Sequence, residues 1–87
     1  MNFIAIIGIV QGLKKLNDHV SEIKVKVEKP FYQDDEDWYE VLTVILNNEL
    51  FEEQIKTLAN GMIVGVKGRL SAISSGSKIV GERLQVF

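Results

Sequence analysis

The sequence has no cysteine, one proline, one histidine and one tryptophan in 87 residues. Without cysteine there is no disulfide and no thiolate metal site, which fits a reducing compartment. The lone His19 has no second histidine with which to build a zinc site. The acids Asp34, Asp35, Glu36 and Asp37 lack the glycine and terminal glutamate of a calcium loop. No metal and no cofactor are expected. Nucleophile elbow, phosphate loop and dinucleotide fingerprint are all missing, so no enzymatic activity is expected. Nor is any apolar run long enough to span a bilayer as a helix. Residues 3–10 are apolar, but they lack a basic leader and a small-residue cleavage site, and Gly8 interrupts them. They read as a buried strand of a cytoplasmic protein with no membrane partner.

What remains is the composition of one small globular domain, expected to span residues 1–87. A core of that size is limited, and oligomerisation would add stability. The formal net charge is −2. Four of the acids sit in one block at 34–37; without them, ten basic residues stand against eight acidic ones. A mildly basic body thus carries one acidic loop, most simply a solvated tip or otherwise a contact for a basic partner.

Residues 2–10 do not alternate cleanly, so both faces of a first strand look buried. Gly8 within it marks a bend or bulge. Asn17 and Asp18 form a turn. A second strand over about 20–28 points Ile23, Val25 and Val27 one way and Glu22, Lys24, Lys26 and Glu28 the other. Pro30 ends it. A third strand starts near Asp37, with Tyr39, Val41, Thr43 and Ile45 on one face. Trp38, Glu40, Leu42 and Val44 share the other, taken as the outer one. A helix is expected over about 49–60, capped by Asn47 or Asn48, facing the sheet with Phe51, Ile55 and Leu58, and ended by Gly61. A fourth strand over 62–73, a turn at 74–77 and a fifth strand over 78–87 follow.

Five strands with one helix between strands 3 and 4 predict an all-β OB-fold barrel, a scaffold that binds oligonucleotides across strands 2 and 3. An SH3-like barrel is the alternative, and a helix at that position favours the OB arrangement.

Four pieces in order carry a resemblance over nearly the whole chain. They are Asn2-Phe3-Ile4-Ala5-Ile6-Ile7-Gly8, Asp37-Trp38-Tyr39-Glu40-Val41, Gly61 with Val64-x-Val66-x-Gly68-Arg69-Leu70, and Ile79 to Phe87. Together they resemble the bacterial single-stranded DNA-binding protein family. The resemblance implies binding of single strands with little sequence preference, in replication and repair, by aromatic stacking and phosphate contacts. It places Trp38 at a stacking position. Glu40 stands where the family has an arginine, Val44 where it has a further aromatic, and the hairpin of strands 4 and 5 is short. No tail for recruiting enzymes is expected. These departures imply weaker binding over a shorter site.

The nucleic-acid surface is therefore expected to use Trp38 with Lys24, Lys26, Lys67 and Arg69, with Phe31, Tyr32 and Lys14 as further candidates. Each has a plainer reading. Trp38 beside Leu42 and Val44 would equally cover a protein interface. Phe31 and Tyr32 would pack back on the barrel, and the lysines would form a solvated face. Asn2, Phe3, Ile4, Ala5 and Ile6 are expected in a homo-oligomer interface, dimeric or tetrameric. Single-stranded RNA uses the same physics as DNA. The alternative class is an OB-fold subunit of a replication, repair or transcription complex that touches little nucleic acid.

Overall fold

The computed structural model describes residues 3–28, 39–73 and 76–87. The elements follow as β1 (Ile4–Lys15), β2 (Val20–Glu28), β3 (Tyr39–Asn47), α1 (Glu52–Thr57), β4 (Ile63–Ile73) and β5 (Gly76–Val86). The strands close into a barrel in the order β1-β2-β3-β5-β4. This is the OB fold that the element order predicts, with its one helix between β3 and β4. Among the described residues only β3 and β5 run parallel, through Val44 opposite Ile79 and Ile45 opposite Val80.

Closure depends on β1, which serves two partners. Its first half pairs with β4, from Ile4 opposite Gly68 to Ile9 opposite Ile63. Its second half pairs with β2, from Ile9 opposite Lys26 to Lys15 opposite Ser21. The hand-over needs a bend, and Gly8 allows it. A methyl group there would collide with the Lys26 carbonyl oxygen and reach Val25 Cγ1 at 2.7 Å, so only hydrogen fits. A register shift between Val10 and Gly12 completes the bend.

The alternation along β1 is regular, which corrects the expectation of two buried faces. Ile4, Ile6 and Val10 turn toward the core, while Phe3, Ala5, Ile7 and Ile9 lie exposed. The period is invisible in the sequence because both alternate sets are apolar.

The facing of β3 is likewise the reverse of the expectation. Val44 and Leu46 are fully buried and Leu42 packs against them. Register explains this, since Val25 lies opposite Leu42 and Ile23 opposite Val44, and both β2 partners are core residues. The outward set is Tyr39, Val41, Thr43 and Ile45. Glu40, on the inward phase, is exposed at the strand end.

Inside lie Val10, Ile23, Val25, Val44, Leu46, Val64, Val66, Ile79 and Leu84. Phe51 and Leu58, flanking α1, bury themselves against this set, and Ile55 packs beside them. The Asn47 side-chain oxygen accepts the N–H groups of Glu49 and Leu50, both at 2.9 Å. This closes the turn before the helix and does not cap the helix as expected, since the N-cap position is Phe51, which makes no side-chain cap. Ser21, the buried polar residue of the core, donates to Asn48 Oδ1, and Gln54 Nε2 donates to the Leu84 carbonyl at 2.6 Å.

The helix is shorter than the sequence suggests. Leu58 already has extended backbone angles, φ −65° and ψ 137°, because turning there brings its side chain into the core. Gly61 adopts positive φ, 93°, but four residues beyond the helix end at Thr57. Its N–H binds the Val10 carbonyl at 2.8 Å, so it shapes the turn into β4. Ile73 pairs with Gly76 at the far hairpin. Among the described residues, no helix is long and apolar enough to cross a membrane.

Candidate nucleic-acid interface

Period two sets Glu22, Lys24, Lys26 and Glu28 on the outer face of β2. Register then places them beside Ile45, Thr43, Val41 and Tyr39 of β3. The result is a face of alternating charges and apolar or aromatic groups on the two strands.

Its interactions form two clusters. Lys26 Nζ lies 4.2 Å from the centroid of the Tyr39 ring, within cation–π range. Tyr39 is 47% exposed, so ring surface remains available. The second cluster centres on Glu22. Lys24 Nζ contacts Glu22 Oε1 at 3.0 Å and donates to Thr43 Oγ1 at 2.7 Å. Glu22 Oε2 faces Lys78 Nζ at 4.0 Å, and Lys14 stands opposite Glu22 in the β1 register. The hydrogen bond from Lys24 is the main cause that holds the Glu22 carboxyl below its ordinary range. Burial opposes it, and the charges of Lys24, Lys78 and Lys14 add to it. One carboxylate therefore neutralises part of a cluster of three lysines.

Lys14, Lys24 and Lys26 thus share this side of the barrel. Lys67 and Arg69 do not join them. Lys67 is opposite Ala5 on one side and Arg83 on the other. Ala5 is four residues, roughly 13 Å, along β1 from Ile9, the partner of Lys26. Arg69 is opposite Val80 and pairs with Glu82 at 3.4 Å. Trp38, Phe31, Tyr32 and Asn2 lie outside the described residues. Of the expected interface residues, Phe3 and Ala5 point outward, whereas Ile4 and Ile6 face the core.

Sequence reasoning did not single out Tyr39, Thr43, Glu22, Lys78 or Arg83 as site residues. A signal for the first two exists: they alternate in phase with each other, and the strand would need its wet face identified. Lys78 and Arg83 are placed by pairings of β5 that no local pattern announces.

The barrel is shared with proteins of very different sequence. No protein-family model matches this sequence, and no curated protein sequence matches it. Among solved structures, the small single-stranded DNA-binding protein of Streptomyces coelicolor superposes with a TM-score of 0.72 at 19% identity, over 100% of this chain and 95% of that one. The dimeric N-terminal domain of PriB from Thermoanaerobacter tencongensis gives 0.75 at 19% identity, over 99% and 96%. A chain of the Stn1–Ten1 complex of S. pombe gives 0.74 at 14% identity; this chain is covered completely and spans 59% of that one. The likeness is one of fold: this chain has the OB barrel seen in single-stranded DNA-binding proteins.

Proposed function

We propose that this chain binds single-stranded DNA without catalysis and with little sequence preference, in replication or repair. The observation that carries this reading is the outer face of β2 and β3. There a half-exposed tyrosine ring with a lysine over it adjoins a cluster of three more lysines. A ring takes any base by stacking, and lysines take phosphates. OB barrels bind oligonucleotides across this pair of strands, and solved structures with this fold include a single-stranded DNA-binding protein. Trp38, Phe31 and Tyr32 are proposed as further stacking residues.

Assembly is part of the proposal. Phe3, just before β1, and Ala5 and Ile7 on it form an exposed apolar row, where Phe3 is 67% and Ile7 64% exposed. Residues 4–7 pair with β4 alone among the described residues, which leaves a strand edge open to a second copy.

Titration of the intact protein with oligo-dT at low and moderate salt, followed by tryptophan fluorescence, tests the binding. The expected result is quenching that weakens as salt rises. Absence of salt-sensitive binding would falsify the proposal. A matched RNA oligomer in competition establishes the sugar preference.

The same apolar row favours a second reading, an interaction subunit that pairs with another protein, as the neighbour in the Stn1–Ten1 complex does. Under that reading Ile7→Glu abolishes assembly and oligo-dT does not bind at any salt.

A further inference from the structure

Lys67 and Arg83 are directly opposite one another on β4 and β5. Both side chains are exposed on the outer face. Like charges opposite each other on adjacent strands are destabilising. Lys15, Lys24, Lys56, Lys78 and Arg69 each have a carboxylate within ion-pair distance. Among the described residues, Lys67 and Arg83 have none. Such a pair is relieved by an anion that bridges the two cations.

An aromatic ring stands beside the pair. Phe87 is 64% exposed and lies over Gly65, two residues before Lys67. A methyl group at Gly65 would come within 3.2 Å of Phe87 Cε2 and 3.5 Å of Cζ. One part of the ring rests on glycine backbone and the rest faces solvent. Ala5, Ile7, Gly65, Lys67, Arg83 and Phe87 line an open depression of about 640 Å³, so a strand seated there and a second copy on the apolar row compete for one wall.

This depression is connected to the Tyr39 face by register. Val41 is opposite Lys26, Lys26 opposite Ile9, and Ile9 opposite Ile63. The Phe87 N–H binds the Ile63 carbonyl at 2.9 Å. These five residues form one row across the barrel. Val41, Ile9, Ile63 and Phe87 are all exposed, and the row is roughly 19 Å long at a strand spacing of ~4.8 Å.

We infer that Lys67, Arg83 and Phe87 form a second contact for the same single strand, with a phosphate between the two cations and a base on the Phe87 ring. The inference rests on the proposed function. A strand bound to Tyr39 and Lys26 crosses β1 along this row and reaches the second contact. Single-stranded nucleic acid is the occupant that uses both features at once, an anion for the paired cations and a flat group for the ring.

The test is titration of the full chain with a long oligo-dT over a series of salt concentrations, alongside sedimentation. The double variant Lys67→Ala/Arg83→Ala is expected to lower the magnitude of the slope of log affinity against log salt by about 0.7, the value for the one phosphate the pair holds. Phe87→Ala is expected to weaken binding roughly five- to hundredfold, and Phe87→Tyr to restore most of it. Arg83→Glu places an opposite charge across from Lys67, so it should raise Tm while lowering affinity.

A double variant that keeps the wild-type slope and affinity overturns the second contact alone. So does one that disassembles while its binding is unchanged, since the pair then serves a protein contact. A wild-type protein that binds no oligo-dT overturns this inference together with the reading beneath it.

Discussion

Lys26 holds its ammonium 4.2 Å from the centre of the Tyr39 ring. The lysine is on β2, the tyrosine on β3, and the strand register places Tyr39 diagonally from Lys26, opposite Glu28. The arrangement keeps one cation beside one flat surface, the combination that a nucleotide needs. Stacking of a base on an aromatic side chain is worth roughly 1–3 kcal/mol. Tyr39→Ala is therefore expected to weaken oligo-dT binding roughly five- to hundredfold, and Tyr39→Phe to retain most of the affinity. Fluorescence anisotropy with a labelled oligomer measures both. Equal binding by Tyr39→Ala and wild type would remove Tyr39 from the site.

Glu22 is expected to restrain binding. Its carboxylate engages Lys24 and Lys78 and faces Lys14, so it competes with any phosphate for those cations. Glu22→Gln removes the negative charge at nearly constant shape. Its affinity for oligo-dT at low salt should rise severalfold, and the salt slope should steepen. Unchanged or weaker binding would show that the three lysines do not contact the strand.

The same residue gives a stability prediction with a definite sign. The Glu22 carboxyl is held below its ordinary value in the folded state, chiefly by the hydrogen bond from Lys24. A depressed folded pKa means that the unfolded chain takes up the proton more readily. Its stabilising contribution is complete above the unfolded value and is lost as pH falls through the folded one. Melting curves of wild type and Glu22→Gln should differ most at neutral pH and converge on acidification below about pH 4.5. A gap that widens toward low pH contradicts this sign.

The barrel was legible in the sequence because β2 alternates cleanly and because Asn17, Asn47 and Gly61 stand at its turns. Asn17 Oδ1 accepts the N–H groups of His19 and Val20 at 2.8 and 2.9 Å, the turn chemistry its position implies. The facing of β1 and β3 was not legible. On β3 the inward Leu42, Val44 and Leu46 alternate with Val41, Thr43 and Ile45, and hydrophobicity alone does not tell the two sets apart. Only the pairing with β2 does so, and that is long-range information. The candidate face was half visible for the same reason. Lys24 and Lys26 follow from β2 alone, whereas Tyr39, Lys78 and Arg83 depend on which strands become neighbours.

Core packing offers a check that is independent of function. Leu46 is completely buried, and a methyl group added at Gly81 would lie 2.8 Å from its Cδ2. The two residues fill one space between β3 and β5. Leu46→Ala is expected to cost about 2–5 kcal/mol, and Gly81→Ala about 1–3 kcal/mol through overpacking. Because they share that space, the double variant should lose less than the two single costs together. Urea denaturation of all four proteins measures the coupling. Additive losses would show that the two sites do not share this space.

Assembly is the last prediction. Ile7 is 64% exposed and ends the row of Phe3, Ala5 and Ile7. It points away from the core, so a charge there leaves the barrel interior intact. Ile7→Glu should lower the mass seen by sedimentation equilibrium to that of one chain, with little change in far-ultraviolet circular dichroism. Ile6 is the control on the same strand. It packs against the core, so Ile6→Glu should unfold the protein instead of separating copies. A wild-type protein that sediments as a single chain at all concentrations would contradict the role of this row. Retained assembly in Ile7→Glu would place the contact elsewhere on the barrel. The two substitutions differ by one position on one strand, and the contrast between them follows from the alternation that the sequence conceals.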